Sequence, residues 1–323
     1  MALSPSAQPP APISPRPPGR GEHHDVVPAP RRGSPSSRNA ATWGMIFVAP
    51  QTLLFAVFFL LPVVIAVVLA FMEVRPTRMT WIGLENFRNV LNDPLYGRAL
   101  RNTAYFTGVV VVFWLGKALL IAYLLDPMNR TLQTFFKSAF YLPAVTSTII
   151  ISLVWAWIYH PRFGLLNAFL GLFGVEPIAW LGNVNTALPA LMAMQVLMGG
   201  GSSIVLLSAA LARIPRDLYE VALMDGAKRP AIFTNVILPL IRPTLLYLVV
   251  TGTVNTFQVF EAVYVMTEGG PQFSTATVVY RIYQEAFQRF NLGLASAQAI
   301  VLFLVTFVMA AIQFRFLGQN VEY

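Results

Sequence analysis

Long runs without a charged side chain constrain the fold of this chain more than any other feature. Six such runs contain no Asp, Glu, Lys or Arg: residues 39–72, 102–116, 138–161, 177–212, 243–260 and 290–314. A helix needs about 20 predominantly apolar residues to cross a hydrocarbon core about 30 Å thick. Four runs are long enough unaided; residues 102–125 span if Lys117 is tolerated, and residues 243–264 span if Glu261 lies near an end. The sequence therefore predicts six membrane crossings.

The composition of these runs favours helices over a closed barrel. A barrel strand alternates apolar and polar residues, whereas these runs are continuously apolar. Only 11% of the chain is charged, against about 25% in a typical soluble domain. We therefore predict an all-α membrane protein with helices at residues 43–71, 104–125, 138–159, 187–211, 244–264 and 294–314.

The formal net charge of +8 is explained by where the basic residues lie. If the N-terminus is inside and the crossings alternate, inner segments hold more basic residues than outer ones. The inner ones are Arg16, Arg20, Arg31, Arg32, Arg38, Arg130, Lys137, Arg213, Arg216, Lys228, Arg229, Arg242 and Arg315. This excess agrees with the positive-inside rule and places both termini and the 213–242 loop in the cytoplasm. No nucleic-acid partner is needed to explain the charge.

The first 42 residues differ from the rest, being rich in Pro, Ser, Ala and Arg. They lack the apolar core of a cleavable signal peptide and cannot bury enough surface to fold. We therefore predict a disordered cytoplasmic tail, 1–42, followed by a transmembrane domain, 43–323. The chain has no cysteine, which excludes disulfide and thiol chemistry.

Two outer connections carry helical patterns. In segment 72–103, Phe87, Val90 and Leu91 recur at helical spacing and predict a helix on the outer surface. The connection after the third crossing predicts interfacial helices, with Trp180 at the level of the lipid headgroups.

The 212–242 loop is a polar insert between two apolar spans. Pro215 suits the first turn of a helix, and Gly226 is placed to end that helix in a left-handed conformation. A second helix is predicted from Lys228 to Ile237, before the interruption at Pro239. The pattern predicts a helical hairpin parallel to the membrane. A docking surface and an ordinary amphipathic loop fit this pattern equally well.

The loop also carries a spaced motif: Glu220-Val221-Ala222, then Gly226, Val236 and Leu238-Pro239. The motif resembles the "EAA" coupling loop in the inner-membrane permease subunits of binding-protein-dependent ABC importers. That family's pattern is Glu-Ala-Ala, three residues, Gly, nine residues, Ile, one residue, Leu-Pro. Val221 and Val236 depart from the pattern but stay in the same size class.

Three further segments resemble the sugar and glycerol-phosphate branch of that family, which includes the maltose permeases: WIGLENFRNVL, VYVMTEGGPQFSTAT and IQFRFLGQNVEY. Together with the loop they occur in the family's order over residues 43–323. The run Gly199–Gly201 departs, because relatives more often carry an aromatic or polar residue there.

The resemblance implies the type I ABC importer permease fold, with both termini cytoplasmic. It also implies a second homologous permease subunit, two ATPase subunits and an extracytoplasmic solute-binding protein as partners. The ATPase subunits would bind ATP and Mg, and this chain would bind no cofactor. The residues expected to couple to the ATPase are Glu220, Val221, Ala222, Asp225, Gly226, Leu238 and Pro239.

Catalytic motifs are not found in the sequence. A phosphate loop, G-x-x-x-x-G-K-[S/T], is absent, and Gly116-Lys117-Ala118 lacks the Ser or Thr that would bind the metal. His23 and His24 lie in the tail, and His160 stands alone at an interface. We therefore predict neither ATP hydrolysis nor a metal site in this chain.

Polar residues inside the spans are the remaining candidates. Lys117 is a functional-site hypothesis by its position, although a snorkelling or subunit-pairing role is favoured. Thr251, Asn255 and Gln258 fall at i, i+4 and i+7 and form one polar stripe on a helix. Helix–helix hydrogen bonding and a solute path explain this stripe equally well. We hypothesise that it lines the path.

Two other classes of protein stay open on the sequence. A lipid-modifying enzyme would need a cluster of acidic, His or Ser residues near an interface, and none is apparent. An ion-coupled secondary transporter would need paired broken helices and a carboxylate at the bilayer midplane. Its one candidate, Glu261, is predicted near the outer end of its span.

Overall fold

The computed structural model describes residues 37–76 and 78–317. Its helices are α1 (Ser37–Phe55), α2 (Leu61–Leu69), α3 (Glu85–Asn92), α4 (Pro94–Leu125), α5 (Arg130–Tyr141), α6 (Thr148–Ile158), α7 (Leu165–Gly171), α8 (Ala187–Met198), α9 (Gly201–Leu211), α10 (Arg216–Met224), α11 (Arg229–Ile232), α12 (Leu238–Leu240), α13 (Arg242–Phe257), α14 (Glu261–Met266), α15 (Val278–Tyr283) and α16 (Leu292–Leu317). Single π-helical turns lie at Ala56–Leu60, Phe233–Ile237 and Gln284–Gln288, and a 3₁₀ turn lies at Leu142–Val145. Strands β1 (Met72–Arg75) and β2 (Arg78–Trp81) form an antiparallel hairpin.

Within the described residues, four helical stretches are long and apolar enough to cross a membrane: Thr42–Leu69, Pro94–Leu125, Arg242–Met266 and Leu292–Phe316. Two pairs of helices, each joined at a bend, provide at most two further crossings. One pair joins α5 and its 3₁₀ turn to α6 with a bend of 96°, and the other joins α8 to α9 with a bend of 46°. Counting each bent pair as one span gives the six crossings that the sequence predicts.

The third predicted span, 138–159, is wrong as a single straight helix. Residues 138–141 belong to α5, which begins earlier because the Asn129 side chain accepts a hydrogen bond from Leu132 N at 2.9 Å. Such a side-chain cap is a helix start signal. Pro143 then ends the regular helix, since proline has no N–H to donate. α6 begins after an extended residue at Thr146.

The fourth and fifth predicted spans are also interrupted. α8 ends at Met198, and α9 begins after Gly200, whose φ of +96° is left-handed. The helix from Arg242 ends at Phe257, and α14 begins at Glu261. The prediction of α-helical spans is confirmed, but their continuity is not.

The predicted outer helix of segment 72–103 is present as α3, but the hairpin before it is not predicted. Val90 is buried, as expected of the inner side of that helix, whereas Leu91 is 75% exposed. Asn86 explains how α3 joins the hairpin. Its side-chain amide donates to the carbonyl oxygens of Ala70 and Met72, both at 2.9 Å.

The chain divides into two compact units, Met1–Val57 and Phe58–Tyr323. The described part of the first unit consists of α1 and the start of the following π turn. Of the predicted tail, 1–42, residues 1–36 lie outside the described residues. The last six residues of the closing segment IQFRFLGQNVEY lie outside them as well. The boundary between tail and transmembrane domain stays a prediction.

The second unit is organised around α4, which packs against α8, α9 and α13. Three clusters of buried apolar side chains fill it, and one of them, built on Ala118, Ala122 and Leu207, extends to the 212–242 loop. This arrangement connects the loop directly to the spans.

A buried ion-pair network fixes α15 to the start of α4. Arg281, 2% exposed, donates to Asp93 at 3.2 Å and to Glu285 at 3.0 Å, and Arg289 also donates to Glu285. Asp93 also caps α4 by accepting from Leu95 N at 2.8 Å. Buried charges need such partners, because an unpaired one would be costly.

Candidate functional site

The 212–242 loop folds as the sequence predicts, into two helices joined by a tight turn. Gly226 has a φ of +77°, and its N–H donates to Leu223 O at 3.0 Å. Ala227 N donates to Ala222 O at 2.9 Å. These two bonds are the Schellman ending of an α-helix, which requires a left-handed residue at the glycine. The second helical stretch runs through α11 and the π turn at Phe233–Ile237.

One side of this hairpin packs against the spans. Tyr219, Ala222, Ala227 and Phe233 are half-buried against the cluster that contains Ala118 and Ala122 of α4. Ala222 and Ala227 therefore contact the protein's own core. Burial and the neighbouring Asp126 carboxylate raise the pKa of the Tyr219 phenol. A rigid apolar contact thus connects the loop to α4 and α9.

α10 also carries large apolar side chains that are exposed outside this contact. Val221 is 56% exposed, Leu223 58% and Met224 87%. We call these three residues the α10 edge. The motif carboxylates Glu220 and Asp225 are exposed beside it and make no ion pair within residues 37–76 and 78–317. Exposed apolar groups in a polar segment are typical of a protein interaction surface.

The last two predicted coupling residues lie on a separate element. Leu238 is half-buried and Pro239 exposed, and they open the short helix α12 that leads into α13. The structure therefore brings Glu220, Val221, Ala222, Asp225 and Gly226 together on α10 and its turn. It does not place Leu238 and Pro239 on the same helix.

The predicted polar stripe is divided between two clefts. Thr251 and Asn255 line a cleft of about 560 Å³. Its other polar or aromatic lining residues are Trp114, Ser202, Ser203 and Tyr247. Gln258 lines a more apolar cleft of about 610 Å³ against α16. Asn255 and Gln258 are exposed, while the Thr251 hydroxyl donates to Tyr247 O at 2.7 Å. We call the first of these the Trp114 cleft.

The glycine break between α8 and α9 gives this cleft its indole wall. A Cβ on Gly200 would lie 2.7 Å from Trp114 Nε1, and a Cβ on Gly252 would lie 2.6 Å from Trp114 Cζ3. A Cβ on Gly201 would lie 2.3 Å from Phe140 O, which is backbone. Side chains at these positions would clash with Trp114 or with the backbone of Phe140. Close packing therefore explains why residues 199–201 are glycines where the sequence departs from the family pattern.

Lys117 is the charged residue that the sequence could not place. Its Nζ donates to the carbonyl oxygens of Val196, Leu197 and Gly199, at 2.9 Å for Leu197 and 2.7 Å for Gly199. These are the last carbonyls of α8 and the residue of the break. Lys117 therefore has its contacts within the chain, rather than the snorkelling or subunit-pairing role that the sequence favours.

The segment VYVMTEGGPQFSTAT begins as the end of α14 and continues into a loop that is hydrogen-bonded to α4. The Asn102 side chain donates to Phe273 O at 3.2 Å and Ala276 O at 3.0 Å, and Arg98 donates to Gln272 O at 3.1 Å.

His160 stacks on Phe163 with ring centroids 3.4 Å apart.

Comparison with known proteins agrees with this geometry. Residues 118–321 match the family described as binding-protein-dependent transport system inner membrane component. The sn-glycerol-3-phosphate transport system permease protein UgpA of Brucella abortus biovar 1 (strain 9-941) is 32% identical over 281 residues, 85% of this chain and 94% of that protein. The arabinooligosaccharides transport system permease protein AraP of Bacillus subtilis (strain 168) is 30% identical over 285 residues, 88% and 90% respectively.

A solved structure supports the fold. A chain in the crystal structure of a bacterial ABC transporter involved in the import of the acidic polysaccharide alginate matches with a TM-score of 0.77. The match covers 88% of this chain and 97% of that one, at 22% identity.

The fold is therefore that of an ABC importer permease. The chain belongs to the family of inner membrane components of binding-protein-dependent transport systems. Its location is accordingly the bacterial inner membrane. Family membership also decides against the ion-coupled secondary transporter and the lipid-modifying enzyme that the sequence left open.

Proposed function

We propose that this chain is the transmembrane permease subunit of an ATP-driven importer for a sugar or glycerol-phosphate-type solute. Its relatives are permeases named for sn-glycerol-3-phosphate and for arabinooligosaccharides. One matching transporter is a complex with a periplasmic protein that holds an alginate pentasaccharide. By this proposal the chain works with a second homologous permease, two ATPase subunits that bind ATP and Mg, and an extracytoplasmic solute-binding protein.

The observation that carries the coupling role is the α10 edge. Three large apolar side chains of α10 are exposed in a polar loop, while Tyr219 and Ala222 of the same helix pack on the core. Exposed apolar side chains gathered on a polar loop mark a site of interaction with another protein. We take that protein to be an ATPase subunit, which places the loop and both termini in the cytoplasm.

The packing of the hairpin explains how force would reach the spans. Ala222 and Ala227 contact the cluster of α4 and α9, so a displacement of α10 displaces those helices. Closure of the ATPase dimer would then turn the spans from an inward-facing to an outward-facing arrangement. ATP and solute each bias this one two-state element, which makes the coupling reciprocal. Glu220, Asp225 and Gly226 transmit force in this scheme and catalyse nothing.

The Trp114 cleft is the proposed solute path. Its Trp and Tyr rings present flat apolar faces, and its Ser, Thr and Asn side chains present hydrogen-bonding groups. Aromatic rings with a few placed polar groups suit a polyhydroxylated solute, because each hydroxyl needs a partner once water is removed.

The test of the importer role is reconstitution with the partner subunits in vesicles. ATP hydrolysis should be stimulated by binding protein loaded with the transported solute, and much less by empty binding protein. Candidate sugars and glycerol phosphate are compared in the same vesicles. Solute uptake without an ATPase subunit would overturn the proposal.

A separate prediction concerns the polar side chains that line the two clefts. We expect Asn255→Ala to lower solute affinity or transport rate by about tenfold, since a lost hydrogen bond of about 1–1.5 kcal/mol corresponds to that factor. Gln258→Ala should have a smaller effect, because Gln258 lies in the neighbouring cleft. Uptake of labelled solute into vesicles measures both.

Thr256→Ala on the same helix is the matched control, because its hydroxyl donates to Gly252 O at 2.7 Å within the helix. It should transport like the unaltered protein. Unaltered affinity and rate in both Asn255→Ala and Gln258→Ala would end the idea that this stripe lines the path.

A further inference from the structure

The end of α8 presents carbonyls with no partner of their own in a helix. The last four C=O groups of any α-helix lack intrahelical donors. Inside a bilayer each unsatisfied group costs several kcal/mol, because no water replaces the missing donor. Here the break at Gly199 and Gly200 creates such an end in the middle of a span.

Lys117 supplies the missing donors from α4. An ammonium has three N–H groups, and its three acceptors here are Val196, Leu197 and Gly199. Its charge also lies at the negative end of the α8 dipole. Within residues 37–76 and 78–317 it pairs with no carboxylate. All of its bonding is thus directed at this helix end.

The same carbonyls would have other partners in an uninterrupted helix. There Val196 O would accept from Gly200 N, and Leu197 O would accept from Gly201 N, four residues on. The left-handed Gly200 and the 46° bend prevent this. The observed fourth span is bent and bonded to Lys117; a straight span bonded to itself is the alternative that its backbone hydrogen-bonding groups allow.

We propose that Lys117 is a positioning residue that holds the fourth span in its bent arrangement and thereby sets the geometry of the Trp114 cleft. It does not line that cleft, whereas Trp114 lies one turn before it on α4 and Ser202 lies just after the break. The effect of Lys117 on solute transport rests on the proposed function of the cleft. The role of Lys117 in holding the bent arrangement does not depend on that function.

The test uses the complete transporter complex with Lys117→Met, which keeps the length of the stem and removes the donors. Because the chain has no cysteine, spin labels can be placed uniquely at Asn185→Cys and Arg213→Cys, beyond the two ends of α8 and α9. Straightening a 46° bend between two such helices lengthens their span by about 3 Å. We expect this shift in Lys117→Met and none in Lys117→Arg, which retains charge and donors.

The second readout is the amount of solute transported per ATP hydrolysed. We expect this ratio to fall about tenfold in Lys117→Met and to return in Lys117→Arg. A merely structural defect would lower transport and hydrolysis together and leave the ratio unchanged. If Lys117→Met does not assemble, Lys117→Gln is measured instead, with an intermediate shift expected.

An unchanged label distance in Lys117→Met, or in Lys117→Gln in its place, would overturn the proposal. A lengthened distance with an unchanged ratio would overturn its link to the cleft. The distance needs no transport, so it decides the role of Lys117 even if the unaltered complex fails as an importer of any tested solute.

Discussion

Replacing Gly226 with proline is expected to abolish the stimulation of ATP hydrolysis by loaded binding protein. Gly226 has a φ of +77°, whereas proline fixes φ near about −65°. Proline would also remove the N–H that donates to Leu223 O. The Schellman ending of α10 is then lost, and the α10 edge no longer faces its partner. ATPase assays on the reconstituted complex measure the loss.

A charge reversal at the motif carboxylate tests the same surface without disturbing the backbone. Glu220→Lys should abolish stimulation as well, because Glu220 is exposed beside the α10 edge. Asp217→Lys is the matched control, since Asp217 is also exposed on α10 but lies in its first turn, outside the motif. We expect it to retain most of the stimulation and to cost about 0.5 kcal/mol in helix stability.

Solute binding by the isolated binding protein should be normal in both experiments, because the altered residues lie in the permease. Full stimulation in Gly226→Pro and Glu220→Lys complexes would contradict the assignment of this loop.

The second large effect is expected at Gly201. A single methyl in Gly201→Ala would lie 2.3 Å from Phe140 O and 2.8 Å from Tyr141 Cα, and neither backbone atom can rotate away. Overpacking of this kind costs about 1–3 kcal/mol or more. We therefore expect a lower midpoint of thermal unfolding for the detergent-solubilised complex.

Gly108→Ala is the opposite control. Gly108 lies within α4, and a Cβ there would meet nothing within 4 Å. Alanine in a helix interior is favoured over glycine by about 0.5–1 kcal/mol. The two alanine variants should therefore shift the midpoint in opposite directions. Equal shifts would show that the break does not pack as closely as described.

The local parts of this fold follow from the sequence. The spans were visible as uncharged runs, and the α10 hairpin was predicted with its left-handed Gly226, because caps and glycine turns act over a few residues. The run Gly199–Gly201 stood out in the sequence only as a departure from the family pattern, and neither the break in the helix nor the size of its bend was predicted.

The features that sequence reasoning missed depend on contacts between distant residues. Trp114 packs on Gly252, and Lys117 bonds to Val196, which pattern reading along one helix cannot detect. The sequence did contain a clue to both contacts. Trp114 and Lys117 lie one helical turn apart, and the chain carries three consecutive glycines at Gly199–Gly201. The β1–β2 hairpin was missed because its strands are only four residues long.

Photo-crosslinking from Met224 tests the central claim most directly. Met224→Cys provides the only thiol of this chain at a position that is 87% exposed, and the purified permease can be labelled with a benzophenone before the complex is assembled. Leu172→Cys, 80% exposed in the connection after α6, is the control on the predicted outer side. The account predicts an adduct of the permease with an ATPase subunit from Met224 and none from Leu172. An adduct with the binding protein from Met224, or none with the ATPase, would contradict it.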